Sequence, residues 1–378
     1  MSARRQVDWA AEGLLDGLDG EARAARAQLL DDLLEAGGEL AEIRRASEQD
    51  RLADLLVDHA LSGGERYTAD EVAARAGLPI ELLLRLRRSA GFAMPPHDEP
   101  ALDDRDLELA QLSARFQEAG LDEEALFDVT RVLGRGMAQG AEAIRSLIES
   151  SFSDKDLSER ELARRNVQVA EQLLPLTGPL LQLLLTLHLR DQIRQQAARR
   201  AVAPDGDAGT RPVAVCFADL VGYTRLGQRL EADEIGSIAH RLEILATEVA
   251  EPPVRLVKTI GDAVMLVAPE PVAVIDAGLE LVDRALEEGD AFPDVHVGVA
   301  SGQALNRSGD FYGHPVNLAS RITAVARPAS VLVSERARDA AEERFAWSYA
   351  GERTLRGIRA PEKLFRARRL PELESRDG

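Results

Sequence analysis

The chain has 378 residues, enough for two domains that each bury their own core. Its net charge of −19 argues against a nucleic-acid partner held by general electrostatic attraction, so any phosphate binding must be local. The single cysteine, Cys216, excludes a disulfide within the chain and favours a reducing compartment. The N-terminal residues, MSARRQVDWAAEG, lack the apolar segment of a signal peptide, and we expect a cytoplasmic protein.

Residues 1–200 have the composition of a helical domain, because Leu, Ala, Glu and Arg dominate and apolar residues recur every three or four positions. The most apolar stretch, residues 173–189, is interrupted by Pro175 and Pro179 and falls short of a clean membrane span, so none is expected. We expect His188 to lie buried in this stretch, where burial disfavours the charged imidazole.

Residues 67–92 resemble a helix-turn-helix, with two short helices around Gly77. Thr68 and Glu71 have the spacing of a capping box that begins the first helix. A helical hairpin in a bundle is the alternative, and the acidic surroundings favour it over DNA binding. Three arginines of the second helix are candidates for phosphate contact: Arg85, Arg87 and Arg88.

Residues 201–212 are rich in Pro, Gly, Asp and Ala and predict a linker, after which the pattern changes. The order strand-helix-strand-strand-helix-strand over 213–370 matches a split βαβ sheet, the ferredoxin-like arrangement. The predicted fold is therefore α+β, with an all-α domain followed by a ferredoxin-like, palm-type domain. Its predicted elements are strands at 213–218, 254–259, 262–268, 295–301 and 330–334, helices up to about 250, at 271–288 and at 315–326, and closing strands at 345–351 and 363–369.

Two aspartates lie at strand ends that this topology brings together. Asp219 ends the first strand, and Asp262 lies in the Gly-Asp turn of the central hairpin, four residues after Lys258. Paired carboxylates repel each other unless a cation lies between them, and oxygen ligands suit Mg²⁺ or Mn²⁺. The main-chain N–H groups of the following turn, LVGYT, are candidates for phosphate binding. Taken singly, either Asp could instead be a turn former.

A third polar element follows in GDFYGHPVNLASR, residues 309–321. Pro315 fits the first turn of a helix, and Asn317 and Arg321, four residues apart, share one face of it. Together they could hold ribose or phosphate oxygens and balance the charge that develops at a reacting phosphorus. The alternative is a solvated polar face.

The motifs FADLVGYT, KTIGDAVM and GDFYGHPVNLASR, in this order and spacing, resemble those of the catalytic domain of class III nucleotidyl cyclases. The resemblance covers roughly residues 210–370. It implies the family's fold and a homodimer with two active sites at the subunit interface.

The resemblance also implies roles for single residues. Asp219 and Asp262 match the two metal-binding aspartates, for two Mg²⁺ or Mn²⁺ ions per site, with the main-chain carbonyl of Leu220 as an extra ligand. Two pairs and one arginine match the remaining functional positions: Lys258 and Asp310 for purine recognition, Asn317 and Arg321 for the transition state, and Arg356, in a looser motif, for the triphosphate.

The purine pair has a preference that follows from hydrogen-bond chemistry. Adenine presents an acceptor at N1 and an amino donor at N6, which a Lys donor and an Asp acceptor complement, whereas guanine reverses both groups. Lys258 and Asp310 therefore favour ATP as the substrate, with cyclic AMP and pyrophosphate as products.

The N-terminal half resembles the helical regulatory domain of some soluble bacterial, especially mycobacterial, cyclases. This resemblance implies autoinhibition and a response to pH. Two alternatives to the enzyme remain: a degenerate cyclase fold used only for dimerisation, and a DNA-binding regulator acting through residues 67–92. The presence of every alignable catalytic residue argues against the first of these.

Overall fold

The computed structural model describes residues 7–62, 64–96, 98–151, 157–202, 210–307 and 309–370. The chain divides into two compact units, Met1–Arg199 and Arg200–Gly378, which we call the N-terminal and C-terminal units. The predicted linker at 201–212 overlaps the end of a helix at Val202 and the start of a strand at Thr210. The residues between these two ends lie outside the described part of the chain.

The N-terminal unit is helical, as predicted, with one two-stranded ribbon in addition. Strands β1 and β2 pair antiparallel through Arg66 with Asp103 and Tyr67 with Leu102. In chain order the elements are α1 (Gly20–Glu35), α2 (Leu40–Glu48), α3 (Leu52–Leu61), β1 (Arg66–Tyr67), α4 (Ala69–Ala76), α5 (Ile80–Ala90), β2 (Leu102–Asp103), α6 (Asp104–Glu118), α7 (Glu123–Ser151) and α8 (Glu159–Val202).

Local sequence signals set the helix ends around α4. The Thr68 side chain accepts from the Glu71 amide, and the Glu71 carboxylate accepts from the Thr68 amide, so the predicted capping box is confirmed. Gly77 ends α4 in the left-handed conformation at φ 71°, which costs glycine no steric clash with a β-carbon. The chain can therefore reverse directly into α5.

Helix α8 is apolar but exposed over much of its length. The leucines between 173 and 189 are exposed, and so is His188. The prediction that His188 is buried is wrong for the chain as described, because none of the described elements covers this part of α8. Residues 159–194 are long and apolar enough to cross a membrane. Helices in interfaces and cores can have the same length and composition, so this is weak evidence for a membrane span.

The C-terminal unit alternates strands and helices as predicted, with β6 longer than expected and an added short strand, β7. Its elements are β3 (Thr210–Leu220), α9 (Tyr223–Leu226), α10 (Ala232–Val249), β4 (Arg255–Ile260), β5 (Ala263–Ala268), α11 (Pro271–Glu287), β6 (Val295–Arg307), β7 (Asp310–Tyr312), α12 (His314–Thr323), β8 (Ser330–Ser334), α13 (Glu335–Asp339), a 3₁₀ turn (Glu342–Arg344), β9 (Ala346–Arg353) and β10 (Glu362–Arg368).

These strands form one mixed sheet in the order β4-β5-β3-β6-β8-β10-β9, with β7 paired to β6. Alternate residues of β3 enter two different cores, since successive side chains point to opposite faces. Cys216 and its even-numbered neighbours pack with α10 and α11, whereas Val215 and Phe217 pack with Leu318 of α12. The predicted fold class, an all-α domain followed by a ferredoxin-like cyclase domain, is confirmed.

Candidate active site

The two predicted metal-binding aspartates lie side by side where β3 ends. Asp219 pairs in register with Ala263, the residue after Asp262, and the Leu220 amide donates to the Asp262 carbonyl at 3.2 Å. Gly261 forms the turn at φ 63°, a conformation that favours glycine. The sheet register and the tight turn therefore place both carboxylates at one end of the sheet.

The electrostatics of this carboxylate pair suit a cation. Asp219 Oδ1 is buried and has no hydrogen-bond partner among the described residues. Burial, followed by the negative charge of Asp219, raises the pKa of the Asp262 carboxyl above its usual value. Across the described chain, no group of three or more His, Cys, Asp or Glu side chains could hold a metal ion. A metal here would thus depend on the two aspartates and main-chain oxygen, which is a donor set that Mg²⁺ and Mn²⁺ accept.

His296 is a neighbour of the carboxylates that the sequence analysis missed. It lies opposite Asp219 in the β3–β6 register, with Nε2 3.6 Å from Asp219 Oδ2 and Nδ1 3.2 Å from the Ala326 carbonyl oxygen. Interaction with the Asp219 carboxylate raises the pKa of His296, although burial opposes this. In the sequence His296 is simply one polar residue in an alternating strand, and only the register with Asp219 reveals its position.

Lys258 and Asp310, 52 residues apart in the chain, form an ion pair with Lys258 Nζ 2.5 Å from Asp310 Oδ2. The other oxygen, Oδ1, accepts from the Phe311 amide at 2.8 Å, which fixes the orientation of the carboxylate. Both side chains are partly exposed, at 36% and 25%. A donor and an acceptor are therefore held together and remain accessible to a ligand.

Lys258 lies near the carboxylates in the sheet register. It pairs with Met265, which pairs with Phe217, two residues before Asp219 on the same side of β3. Lys258, and with it the Lys258–Asp310 pair, therefore lies two strands away from Asp219 across the sheet. Along the strand direction it lies two residues from Asp219, on the same face.

The two predicted transition-state residues lie on α12 and point away from the core. Pro315 occupies the first turn of α12, and Leu318 and Ile322 are buried against the sheet. Asn317 and Arg321 are exposed, and neither side chain has a hydrogen-bond or ion-pair partner among the described residues. Arg356, in the loop between β9 and β10, is also exposed. The described chain does not join these three residues to the carboxylates or to the Lys258–Asp310 pair.

The arginines of the predicted helix-turn-helix are engaged within the N-terminal unit. Arg85 pairs with Glu123 and Glu124 of α7, and Arg87 pairs with Asp106 of α6. Only Arg88 of the three is left without an ion pair in the described structure. These internal pairs favour the helical-hairpin alternative over contact with a phosphate backbone.

A palm-type sheet with paired aspartates at the β3 end and a Lys–Asp pair two strands across from them defines a class III nucleotidyl cyclase domain. The comparisons agree, since residues 207–366 match the adenylate and guanylate cyclase catalytic domain and residues 7–193 match the adenylate cyclase regulatory domain.

Two relatives resemble the chain over both halves. The pH-sensitive adenylate cyclase MT1302 of Mycobacterium tuberculosis is 40% identical over 368 residues, which cover 95% of this chain and 91% of the relative. An adenylate cyclase of Streptomyces coelicolor is 35% identical over 289 residues, covering 75% and 74%. The chain belongs to the class III adenylate cyclases. Among solved structures, the adenylyl cyclase CyaB from P. aeruginosa matches 43% of this chain and 96% of its own, with 18% identity and a TM-score of 0.39.

Proposed function

We propose that the chain converts ATP to 3′,5′-cyclic AMP and pyrophosphate. The ribose 3′-oxygen forms a bond to the α-phosphorus, the bond from that phosphorus to the bridging oxygen breaks, and the 3′-hydroxyl proton is released. The observation that carries this proposal is the Lys258–Asp310 pair, which lies two strands across the sheet from Asp219 and one same-face step along it. Lys258 donates to adenine N1 and Asp310 accepts from the N6 amino group, which selects ATP over GTP.

Asp219, Asp262 and the Leu220 carbonyl are the residues that would hold Mg²⁺ or Mn²⁺, two ions per site. The buried, unpartnered Oδ1 of Asp219 and the raised pKa of Asp262 support this assignment. When bound, the ions supply activation of the 3′-hydroxyl and neutralisation of the pyrophosphate charge. His296 holds Asp219 from the opposite strand. Arg356 contacts the triphosphate.

The active site is completed by a second copy of the chain. Asn317 and Arg321 are exposed on α12, unpaired within the described chain and unconnected to the carboxylates. In a homodimer, α12 of one subunit brings these side chains to the carboxylates of the other. Asn317 then orients the ribose, and Arg321 stabilises the charge that develops at the α-phosphorus.

The enzyme is cytoplasmic. Its N-terminal unit restrains the activity of the C-terminal, catalytic unit, and this restraint weakens at acidic pH. The name of the 40% identical relative, a pH-sensitive adenylate cyclase, supports this part of the proposal. The family's regulatory domain covers residues 7–193, and α8 extends from that region to Val202, close to the start of β3 in the sequence.

A nucleotide assay tests the reaction and the base preference. With Mg²⁺ or Mn²⁺, the full chain should form cyclic AMP from ATP, with cyclic GMP formation at least about tenfold slower. Lys258→Ala should lower the rate with ATP roughly 10- to 100-fold, since it removes a charged hydrogen-bond donor. Lys363→Ala, which removes a lysine paired with Glu335, is the matched control and should leave the rate unchanged. Equal rates with ATP and GTP would contradict the adenine assignment.

A second assay tests the restraint. Activity is measured against pH for the full chain and for residues 205–378. We expect the shorter protein to be faster near neutral pH, and the difference to narrow on acidification. Parallel profiles would contradict the pH response, and equal rates at all pH values would contradict the restraint itself.

A further inference from the structure

Strand β6 carries two glycines beneath α12, at Gly298 and Gly302. A β-carbon at Gly298 would lie 2.2 Å from the Thr323 main-chain nitrogen and 2.6 Å from the Ala319 carbonyl oxygen, both atoms of the helix backbone. At Gly302 the nearest atoms belong to the Pro315 ring, at 3.5 Å, an ordinary contact distance. The last turn of α12 therefore touches the strand backbone to backbone, and only glycine permits this approach.

Thr323 adds a polar link at the same point. Its side chain is buried, with 3% exposed, and its hydroxyl lies 2.9 Å from the Ala319 carbonyl oxygen and 3.3 Å from the Phe217 carbonyl oxygen. Phe217 is two residues before Asp219 on β3. The hydroxyl therefore joins the end of α12 to the strand that carries a candidate metal ligand.

We propose that Gly298 and Thr323 are positioning residues for catalysis, because they fix the depth of α12 on the sheet and so the placement of Asn317 and Arg321. This inference rests on the proposed cyclase reaction. Arg321 is two residues before Thr323, and Asn317 is six before it, about 9 Å along the helix axis. A backbone contact at one end of such a short, rigid element sets the position of both side chains. A displacement of about 1 Å at a reacting centre can cost roughly 100-fold in rate.

The first test uses the full chain and a matched control. Gly298→Ala should lower kcat roughly 100-fold while changing the KM for ATP little, because the purine-binding pair and the carboxylates stay in place. Gly278→Ala, on α11, is the control. Its added β-carbon would meet the Val297 side chain at 3.0 Å, so it perturbs β6 from the opposite face without touching α12. The control should keep most of the activity. Equal losses in the two variants, or an unchanged kcat in Gly298→Ala, would overturn the inference.

Subunit mixing then identifies which half of the site has failed. Asp219→Ala chains mixed with Arg321→Ala chains should regain activity, since one of the two mixed sites keeps both halves intact. Gly298→Ala should restore activity with Asp219→Ala and fail to do so with Arg321→Ala. No recovery in the Asp219→Ala and Arg321→Ala mixture, in chains shown to exchange subunits, would contradict the proposed two-chain site instead. Recovery there, with none between Gly298→Ala and Asp219→Ala, would overturn the positioning role.

Hydrogen exchange tests the positioning role of Gly298 without assuming that two chains form the active site. In Gly298→Ala, amides of 314–323 should exchange faster while those of β3 and β5 stay protected. Equal acceleration across the whole sheet, or none in α12, would overturn the proposal. If Gly298→Ala does not fold, Thr323→Val, which replaces the hydroxyl with a methyl group, should lower kcat several-fold, with recovery in Thr323→Ser. A Thr323→Ser variant as slow as Thr323→Val would count against the link to Phe217.

Discussion

The two units of the chain bury their apolar residues in different ways. In the C-terminal unit, one sheet has a core on each face, and strand β3 contributes side chains to both. In the N-terminal unit, two separate clusters form, one around α1 to α3 and one around α4 to α6, while the leucines of α8 between 173 and 189 stay exposed. The C-terminal unit is thus packed so that side chains at strand ends have fixed positions, which the candidate active site requires.

The N-terminal unit has a surface that the described chain does not cover. Exposed apolar patches of this extent are typical of surfaces that contact another molecule. The candidate catalytic residues are therefore carried by a sheet that is packed on both faces, whereas the leucines of α8 have no covering surface within the described chain. Substitutions in the two units should therefore separate effects on activity from effects on stability.

The carboxylate pair should show the largest effect on activity with the smallest effect on stability. Asp219→Ala or Asp262→Ala should lower cyclic AMP formation by at least about 100- to 1,000-fold, since each removes a group that stabilises charge in the reaction. The melting temperature of Asp262→Ala should stay the same or rise, because burial and the Asp219 charge already disfavour ionised Asp262. Activity and thermal unfolding are measured on the same preparations.

Asp290→Ala provides the control, since Asp290 is an exposed acid of the same unit. It should change neither measurement. Near-normal activity in either carboxylate variant would contradict the metal assignment, and a large fall in the melting temperature would show that the aspartates hold the fold instead.

Much of the C-terminal unit could be predicted from sequence because its signals are local. The Gly-Asp turn at 262, the Pro315 helix start and the strand ends at 219 are each visible within a few residues. His296 and the glycine at 298 could not be found, because their importance comes from the residues opposite them in the sheet and above them on α12. In the N-terminal unit the Thr68–Glu71 capping box was equally visible.

The exposure of α8 could not be predicted, since apolar residues at helical spacing indicate burial in general. They do not tell whether the covering surface comes from the same chain. The prediction for His188 was wrong for this reason. Contacts between apolar surfaces are therefore difficult to predict from sequence.

Helices α5 and α7 cross within the N-terminal unit at a close backbone contact. A β-carbon at Gly134 of α7 would lie 2.4 Å from the Ala90 carbonyl oxygen of α5, a backbone contact that cannot adjust through a side chain. Gly134→Ala should therefore lower the free energy of unfolding of this unit by about 1–3 kcal/mol, as overpacking does. Calorimetry of the full chain should show a lower transition for the N-terminal unit and an unchanged one for the C-terminal unit.

Gly140→Ala, on the same helix, tests whether the cause is the contact. Nothing lies within 4 Å of a β-carbon there, so the change should stabilise the helix by up to about 1 kcal/mol. A fall in stability equal to that of Gly134→Ala would mean that α7 tolerates no change at either glycine and that the α5 crossing is not the reason.

The smallest expected effect is a pH dependence confined to the N-terminal unit. The Tyr67 hydroxyl donates to Asp104 Oδ1 at 2.6 Å, and this hydrogen bond, together with burial, raises the pKa of Tyr67 from 10.0 to about 12. Between these two values the unfolded chain has lost the tyrosine proton while the folded unit retains it. The stabilising contribution of Tyr67 is therefore fully present below pH 10 and decreases as the pH rises through about 12.

Tyr67→Phe has no proton to lose at this position and should unfold with a flatter dependence on alkaline pH. Urea unfolding between pH 9 and 11.5 measures the difference in free energy of unfolding between Tyr67→Phe and the unchanged chain. The ionisation of other groups cancels in this difference. Tyr349→Phe, at an exposed tyrosine of the C-terminal unit, is the matched control and should keep the slope of the unchanged chain. If the difference in free energy of unfolding between Tyr67→Phe and the unchanged chain stays constant up to pH 11.5, the hydrogen bond to Asp104 does not hold the tyrosine proton. The pH dependence of the N-terminal unit would then have to arise from groups other than Tyr67.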